Sequence, residues 1–185
     1  MATGAKAAIV TGAASGLGRA MALGLADHGI DVVAVDQNAS ALAALATAMT
    51  GRRGSVLTHP ADLAQPDAFD RIVAAARERF GRIDVLVNNA GIGQASVRAD
   101  QRRNPIRFWE VTPEQWSRFL AVNATAPIMM ARAVVPHMLR AKQGRIITVT
   151  TSLGTMSTLR GRRARFEAMR SSKRLAARLP ISEVP

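Results

Sequence analysis

The sequence predicts an α/β fold, a doubly wound parallel sheet with helices on both faces. Three observations predict it. A glycine-rich loop at residues 11–18, Thr-Gly-Ala-Ala-Ser-Gly-Leu-Gly, separates a short apolar run from a helical pattern. Apolar strand-like runs then alternate with helical patterns as far as residue 149, and such alternation buries the strands between two helical layers. An acidic residue, Asp36, closes the second run. With right-handed crossovers and the loop after the first strand, the expected sheet order is 3-2-1-4-5.

The elements follow in order. Residues 7–10 are the first strand and 16–28 the first helix. Residues 31–35 are the second strand, and 39–49 an alanine-rich helix. Residues 55–58 read as a third strand, followed by Asp62 and Leu63. A helix is expected over 66–80, with Pro66 in its first turn, an apolar face of Ile72, Val73, Ala76 and Phe80, and Gly81 as its stop. Residues 83–87 are the fourth strand, running into Asn88, Asn89, Ala90 and Gly91. A polar connection with several arginines fills 92–110. Thr112 then starts a helix as N-cap, with Pro113 first and Gln115 completing a capping box. A second helical stretch spans 128–140, and a fifth strand spans 144–149.

The loop is where a dinucleotide's pyrophosphate can be held. The first N–H groups of a helix lack intrahelical partners and carry the positive end of its dipole. Gly12, Ser15, Gly16, Leu17 and Gly18 are the candidate residues. Glycine lets the backbone turn sharply and approach the phosphates, and small residues let the helix pack close to the strand. Taken alone, such a loop also fits an ordinary strand–helix turn. Asp36 shifts the balance, because a carboxylate there accepts hydrogen bonds from ribose hydroxyls and repels a 2′-phosphate. NAD is therefore expected over NADP.

The 185 residues suffice for one domain with a sizeable core, and 48% are apolar. Cysteine is absent, which removes disulfide and thiol chemistry and fits a cytoplasmic setting. The first six residues show no signal-peptide core, and no apolar run is read as reaching membrane-spanning length. The net charge of +12 is concentrated late: residues 159–178 hold seven arginines, Lys173 and a single acid, Glu167. Without interleaved aromatics or a docking motif, these arginines read as a solvated tail rather than a nucleic-acid surface. No metal site is expected.

These markers in this order resemble the short-chain dehydrogenases/reductases, over about residues 6–156. The loop, Asp36, Asp62-Leu63, the 88–91 run, Asn123 and the 144–152 strand carry the resemblance. It implies a Rossmann-like NAD-binding domain at 1–156 and an arginine-rich divergent tail at 157–185. It also implies hydride transfer between NAD(P) and an alcohol or carbonyl, with subunits that pair as dimers or tetramers. Asp62 then binds the adenine amino group, Leu63 helps form its pocket, and Asn89, Ala90 and Gly91 flank the cofactor ribose. Thr151 or Ser152 orients the substrate oxygen, Asn123 holds a proton-relay water, and Lys173 is a weak echo of the ribose-binding lysine.

One departure is severe. The family's acid/base is a Tyr four residues before that Lys, and this chain contains no tyrosine. Met169 stands in the corresponding place, and a thioether cannot exchange a proton near neutral pH. The chain also reads as truncated relative to the family, with a shifted reading frame after about Met156 as the expected cause. The expectation is an impaired oxidoreductase. A non-catalytic NAD-binding remnant or sensor is the alternative, and a nucleic-acid binder acting through the tail is a weaker third.

Overall fold

The computed structural model describes residues 5–150 and the backbone of a short strand at 175–176. Thr151, Ser152, Met169 and Lys173 lie outside the described residues. The order is β1 (Ala7–Thr11), α1 (Gly16–Asp27), β2 (Asp31–Asp36), α2 (Ala39–Met49), β3 (Val56–Pro60), α3 (Ala68–Phe80) and β4 (Val85–Asn88). Two 3₁₀ turns, Gln94–Ser96 and Phe108–Glu110, punctuate the polar connection. Then come α4 (Pro113–Leu120), a π turn (Ala121–Thr125), α5 (Ala126–Arg140), β5 (Arg145–Thr150) and β6 (Leu175–Ala176).

The first five strands are parallel in the order 3-2-1-4-5, as the alternation requires. Period-two patterning buries both faces of β2. Val33 and Val35 face a cluster built on Ile72 of α3 and Met130, Val134 and Met138 of α5. Val32 and Ala34 face the opposite cluster, with Ala22 of α1 and Leu42 and Leu45 of α2. A buried carboxylate ties the sheet together at the end away from the loop. Asp84 accepts hydrogen bonds from the Ala7 N–H (2.8 Å), from Arg82 (2.7 Å) and from Gln143 (3.2 Å).

Several boundaries differ from expectation. β3 runs to Pro60, which its edge position allows because a proline cannot donate to a further ladder. α3 starts at Ala68 rather than Pro66, because a turn closed by Gln65 N–H on Asp62 C=O (3.0 Å) takes up the preceding residues. Gly81 stops that helix as expected, at φ 73°. The capping box of α4 is present: Gln115 N–H donates to Thr112 Oγ1 at 3.3 Å and Thr112 N–H to Gln115 Oε1 at 3.0 Å. The two later helices are not separate, since the π turn fuses them into one run. That run, Pro113–Arg140, is long and apolar enough by length and composition to cross a membrane. This corrects the reading that nothing reaches that length; the run packs Met130, Val134 and Met138 into the sheet's core. A sixth, antiparallel strand pairs Val149 with Ala176 and Thr150 with Leu175, so the end of β5 has a backbone neighbour on its outer side.

Candidate functional site

The C-terminal ends of β1, β2, β3 and β4 open onto one cleft of about 280 Å³. Parallel strands place ligand sites at this end because the chain leaves each strand there and the loops diverge. The wall of the cleft includes Gly12, Ser15, Gly16, Leu17, Asp36, Asp62, Leu63, Asn89, Ala90 and Gly91. Residues from four separate loops, predicted one at a time, are thus brought together.

The loop brings two left-handed glycines and an uncapped helix start to the cleft. Gly12 sits at φ 65°, and a Cβ there would lie 2.9 Å from Ala90 Cα. Gly16 sits at φ 52° with nothing within 4 Å of its missing Cβ, so its backbone stands bare in the cleft. Ser15, the N-cap of α1, makes no side-chain cap, and the first turn carries no acid. The first N–H groups of α1 are therefore answered by neither a side-chain cap nor an acid, an arrangement that suits an anion. Gly18 differs from the expected role. A Cβ on Gly18 would collide with the Gly12 carbonyl and the Asn89 amide, and Gly18 is absent from the cleft wall. It serves the close packing of helix on loop.

Asp36 is held from two sides. Ala14 N–H donates to its Oδ2 at 3.1 Å and Asn38 N–H to its Oδ1 at 3.0 Å. Asp62 is held likewise, its Oδ1 accepting from Ala64 N–H at 3.0 Å. Each carboxylate oxygen keeps acceptor capacity for a ligand.

The second Asn of the 88–91 run works as a brace. Its Nδ2 donates to Thr11 C=O at 3.0 Å and Gly12 C=O at 3.3 Å. Thr11 returns the link, its Oγ1 accepting from Asn89 N–H (3.0 Å) and Ala90 N–H (3.1 Å) while donating to Val87 C=O (3.3 Å). Sequence reasoning missed this role of Thr11; its signal was a hydroxyl residue closing an otherwise apolar strand. Asn88 turns the other way and donates to Pro127 C=O at 3.2 Å, tying β4 to α5.

Asn123 lies within the π turn, where one extra residue re-aims a side chain. Its Oδ1 accepts from Ile92 N–H at 3.0 Å and its Nδ2 donates to Ile92 C=O at 2.9 Å. The side-chain amide is thus committed to the β4 exit, which it pins. Gly91 lies close beside it, and a Cβ there would meet Asn123 Oδ1 at 2.9 Å.

Five wall residues were not foreseen: Gln37, Ala61, Ile92, Arg118 and Val122. The first three are chain neighbours of predicted residues. Arg118 and Val122 are four apart on one helical face, a spacing that places them together but does not say against what. Beyond the cleft, Arg98 knits the 92–110 connection, donating to Asn104 Oδ1 at 3.1 Å and Glu110 Oε2 at 3.1 Å. The Arg107 N–H, followed by Arg98, holds the Glu110 carboxyl below the usual carboxylate range. Phe108 and Trp109 stay exposed in that connection, ring edge to ring face.

The short chain dehydrogenase family model matches residues 6–162. A D-threitol dehydrogenase of Mycolicibacterium smegmatis is 34% identical over 152 residues, covering 82% of this chain and 55% of its own length. The chain spans about half the length of the curated relatives it matches. A metagenomic short-chain oxidoreductase solved with NADP superposes with a TM-score of 0.72 at 32% identity, over 82% of this chain and 64% of that one. A 7α-hydroxysteroid dehydrogenase solved with NADH and 7-oxo glycochenodeoxycholic acid superposes with a TM-score of 0.70 at 27% identity, over 80% and 54%.

Proposed function

This chain belongs to the short chain dehydrogenase family, and from that premise we propose that it binds NAD in the cleft and acts on an alcohol–carbonyl pair, with turnover impaired by the missing tyrosine. The observation that carries the binding half is the uncapped start of α1 facing the same cleft as Asp36 and Asp62. Ser15, Gly16 and Leu17 hold the pyrophosphate with backbone N–H groups. Asp36 accepts the adenosine ribose hydroxyls, Asp62 accepts the adenine amino group beside Leu63, and Asn89, Ala90 and Gly91 line the path toward the other ribose. Bound NAD supplies the hydride acceptor.

On the substrate side, Thr151 and Ser152 orient the reacting oxygen, and Lys173 is the candidate for the ribose next to the nicotinamide. Asn123 shapes this side by pinning Ile92, and with one lone pair and one N–H to spare it remains the candidate holder of a proton-relay water. No tyrosine is available to take the hydroxyl proton, and general acid–base assistance typically contributes about 10²- to 10⁴-fold. A non-catalytic nucleotide binder is the second reading, and the tyrosine-free composition is what favours it.

Cofactor choice rests on Asp36, since relatives of this fold are solved with NADP as well as with NADH. Titration with NADH and NADPH tests it: NADH binds more tightly to the parent, and Asp36→Ala narrows the gap. Equal affinities in the parent protein remove this role of Asp36. Assays of NADH formation with a panel of secondary alcohols are expected to show very weak turnover. Robust turnover abolished by Thr151→Val would replace the impaired reading with an unorthodox acid/base group. The same reading carries a homodimer through α5; of the apolar set Met129, Met130, Val134 and Met138 that the sequence offers for it, the last three are buried in this chain's own core, so Ile128 and Leu139 are what α5 exposes for pairing. Light scattering tests it, and a stable tetramer contradicts it.

A further inference from the structure

We propose that Arg118 is a positioning residue for the adenine ring, a planar cation that caps the base at the far end of the cleft. This rests on the nucleotide-binding reading above. Arg118 leaves α4, whose first turn is locked by the Thr112–Gln115 capping box. One turn later on the same face, Val122 is buried and also lines the cleft. The guanidinium reaches two strand ends at once: Nη1 donates to Asp62 Oδ2 at 3.1 Å, and Nη2 donates to Gln37 Oε1 at 3.3 Å. It therefore spans the gap between the exits of β3 and β2, and two bonds fix the orientation of its plane.

As a salt bridge, this arrangement explains little. The pair is part-exposed, at 46% and 31% for the two side chains, and such pairs contribute little to stability. As the cover of a flat ligand it explains more. The cleft wall that Arg118 shares includes the apolar side chains of Ala61, Leu63, Ala90 and Val122, which can supply a floor for a flat ring. The polar partner at its edge is Asp62, an acceptor for an amino group. A guanidinium stacks on a π face, is weakly hydrated, and loses little freedom when its plane is already held. An adenine between apolar floor and guanidinium meets each of these conditions.

The experiment titrates the full chain and its Arg118→Ala and Arg118→Lys variants with NADH, NADPH, ADP-ribose and reduced nicotinamide mononucleotide. Melting curves superimposable on the parent's establish that both variants fold. The expected result is that Arg118→Ala weakens NADH, NADPH and ADP-ribose alike, by about five- to tenfold. The mononucleotide, which lacks adenine, is unaffected. Lysine restores charge but no plane, so it recovers only a minor part of the loss. A loss confined to NADPH overturns the proposal in favour of a 2′-phosphate anchor. Full recovery by lysine overturns it in favour of a point charge, and unchanged affinities leave Arg118 as a surface bridge. A parent protein that binds none of the adenine nucleotides overturns the nucleotide-binding reading and this proposal together, whereas tight parental binding with an indifferent Arg118 overturns only the latter.

Discussion

The stretch from β1 to the end of β4 and the stretch from residue 92 to β5 are built to different standards of closure. In the first, β1 is buried along its whole length and β2 along four of its six residues. In the second, β5 has no fully buried residue. The large exposed apolar side chains of the described residues, Phe108, Trp109, Trp116, Phe119, Leu120, Ile128 and Leu139, all belong to the second stretch. The first stretch also ties its polar groups together, through Thr11, Asp36 and Asp84 and through Asn89 at its exit. A rigid frame on one side and uncovered apolar surface on the other is the division expected when one half holds a common ligand and the other meets partners or a particular substrate.

Gly18→Val should have the largest effect. Its side chain has nowhere to go between the Gly12 carbonyl and Asn89, so urea denaturation should show a loss of about 3 kcal/mol. A loss below about 1 kcal/mol would mean that the loop yields and is not the rigid half.

Thr11→Val comes next. It keeps the volume but strands two buried or half-buried N–H groups, those of Asn89 and Ala90. The expected cost is about 2 kcal/mol, with nucleotide affinity falling alongside because both residues line the cleft.

Changes in the second half should act differently. Trp116 stacks on Phe119 with centroids 5.8 Å apart, yet remains more than half exposed. Trp116→Ser should cost under about 1 kcal/mol, and combined with Ile128→Ser it should lower self-association in light scattering. If instead the double variant melts like Gly18→Val, the second half is as tightly integrated as the first, and the comparison fails.

The smallest effect is a pH dependence. Burial, and secondarily Arg71, lowers the His59 pKa in β3; burial, Arg140 and Arg77 lower that of His137 in α5. A histidine whose folded pKa lies below its unfolded value makes the unfolded chain bind more protons. Its contribution is present above about pH 6.5 and is lost as pH falls through the folded value. The melting temperature should therefore drop on going from pH 7 toward pH 5. His59→Gln should flatten part of that slope, and an unchanged slope would assign it to other groups.

Local pattern made the frame of this chain legible from its residues alone. Period-two apolar runs and 3.6-period helices set the order of elements. The loop glycines, Asp36 and Asp62 fall at strand ends, which in a parallel sheet converge on one side. The capping box is legible because it spans only the four residues from Thr112 to Gln115. Tertiary structure decided what depends on register and crossing between distant segments. It turned Asn123 onto Ile92, 31 residues away, and set Gly18 behind the loop rather than on the cleft wall. It made Thr11 the brace of the β4 exit and carried Arg118 to Asp62 and Gln37, 56 and 81 residues back along the chain. Such contacts leave no periodic trace, because a side chain's partner across a sheet is chosen by strand order and helix placement, which only the packed core establishes.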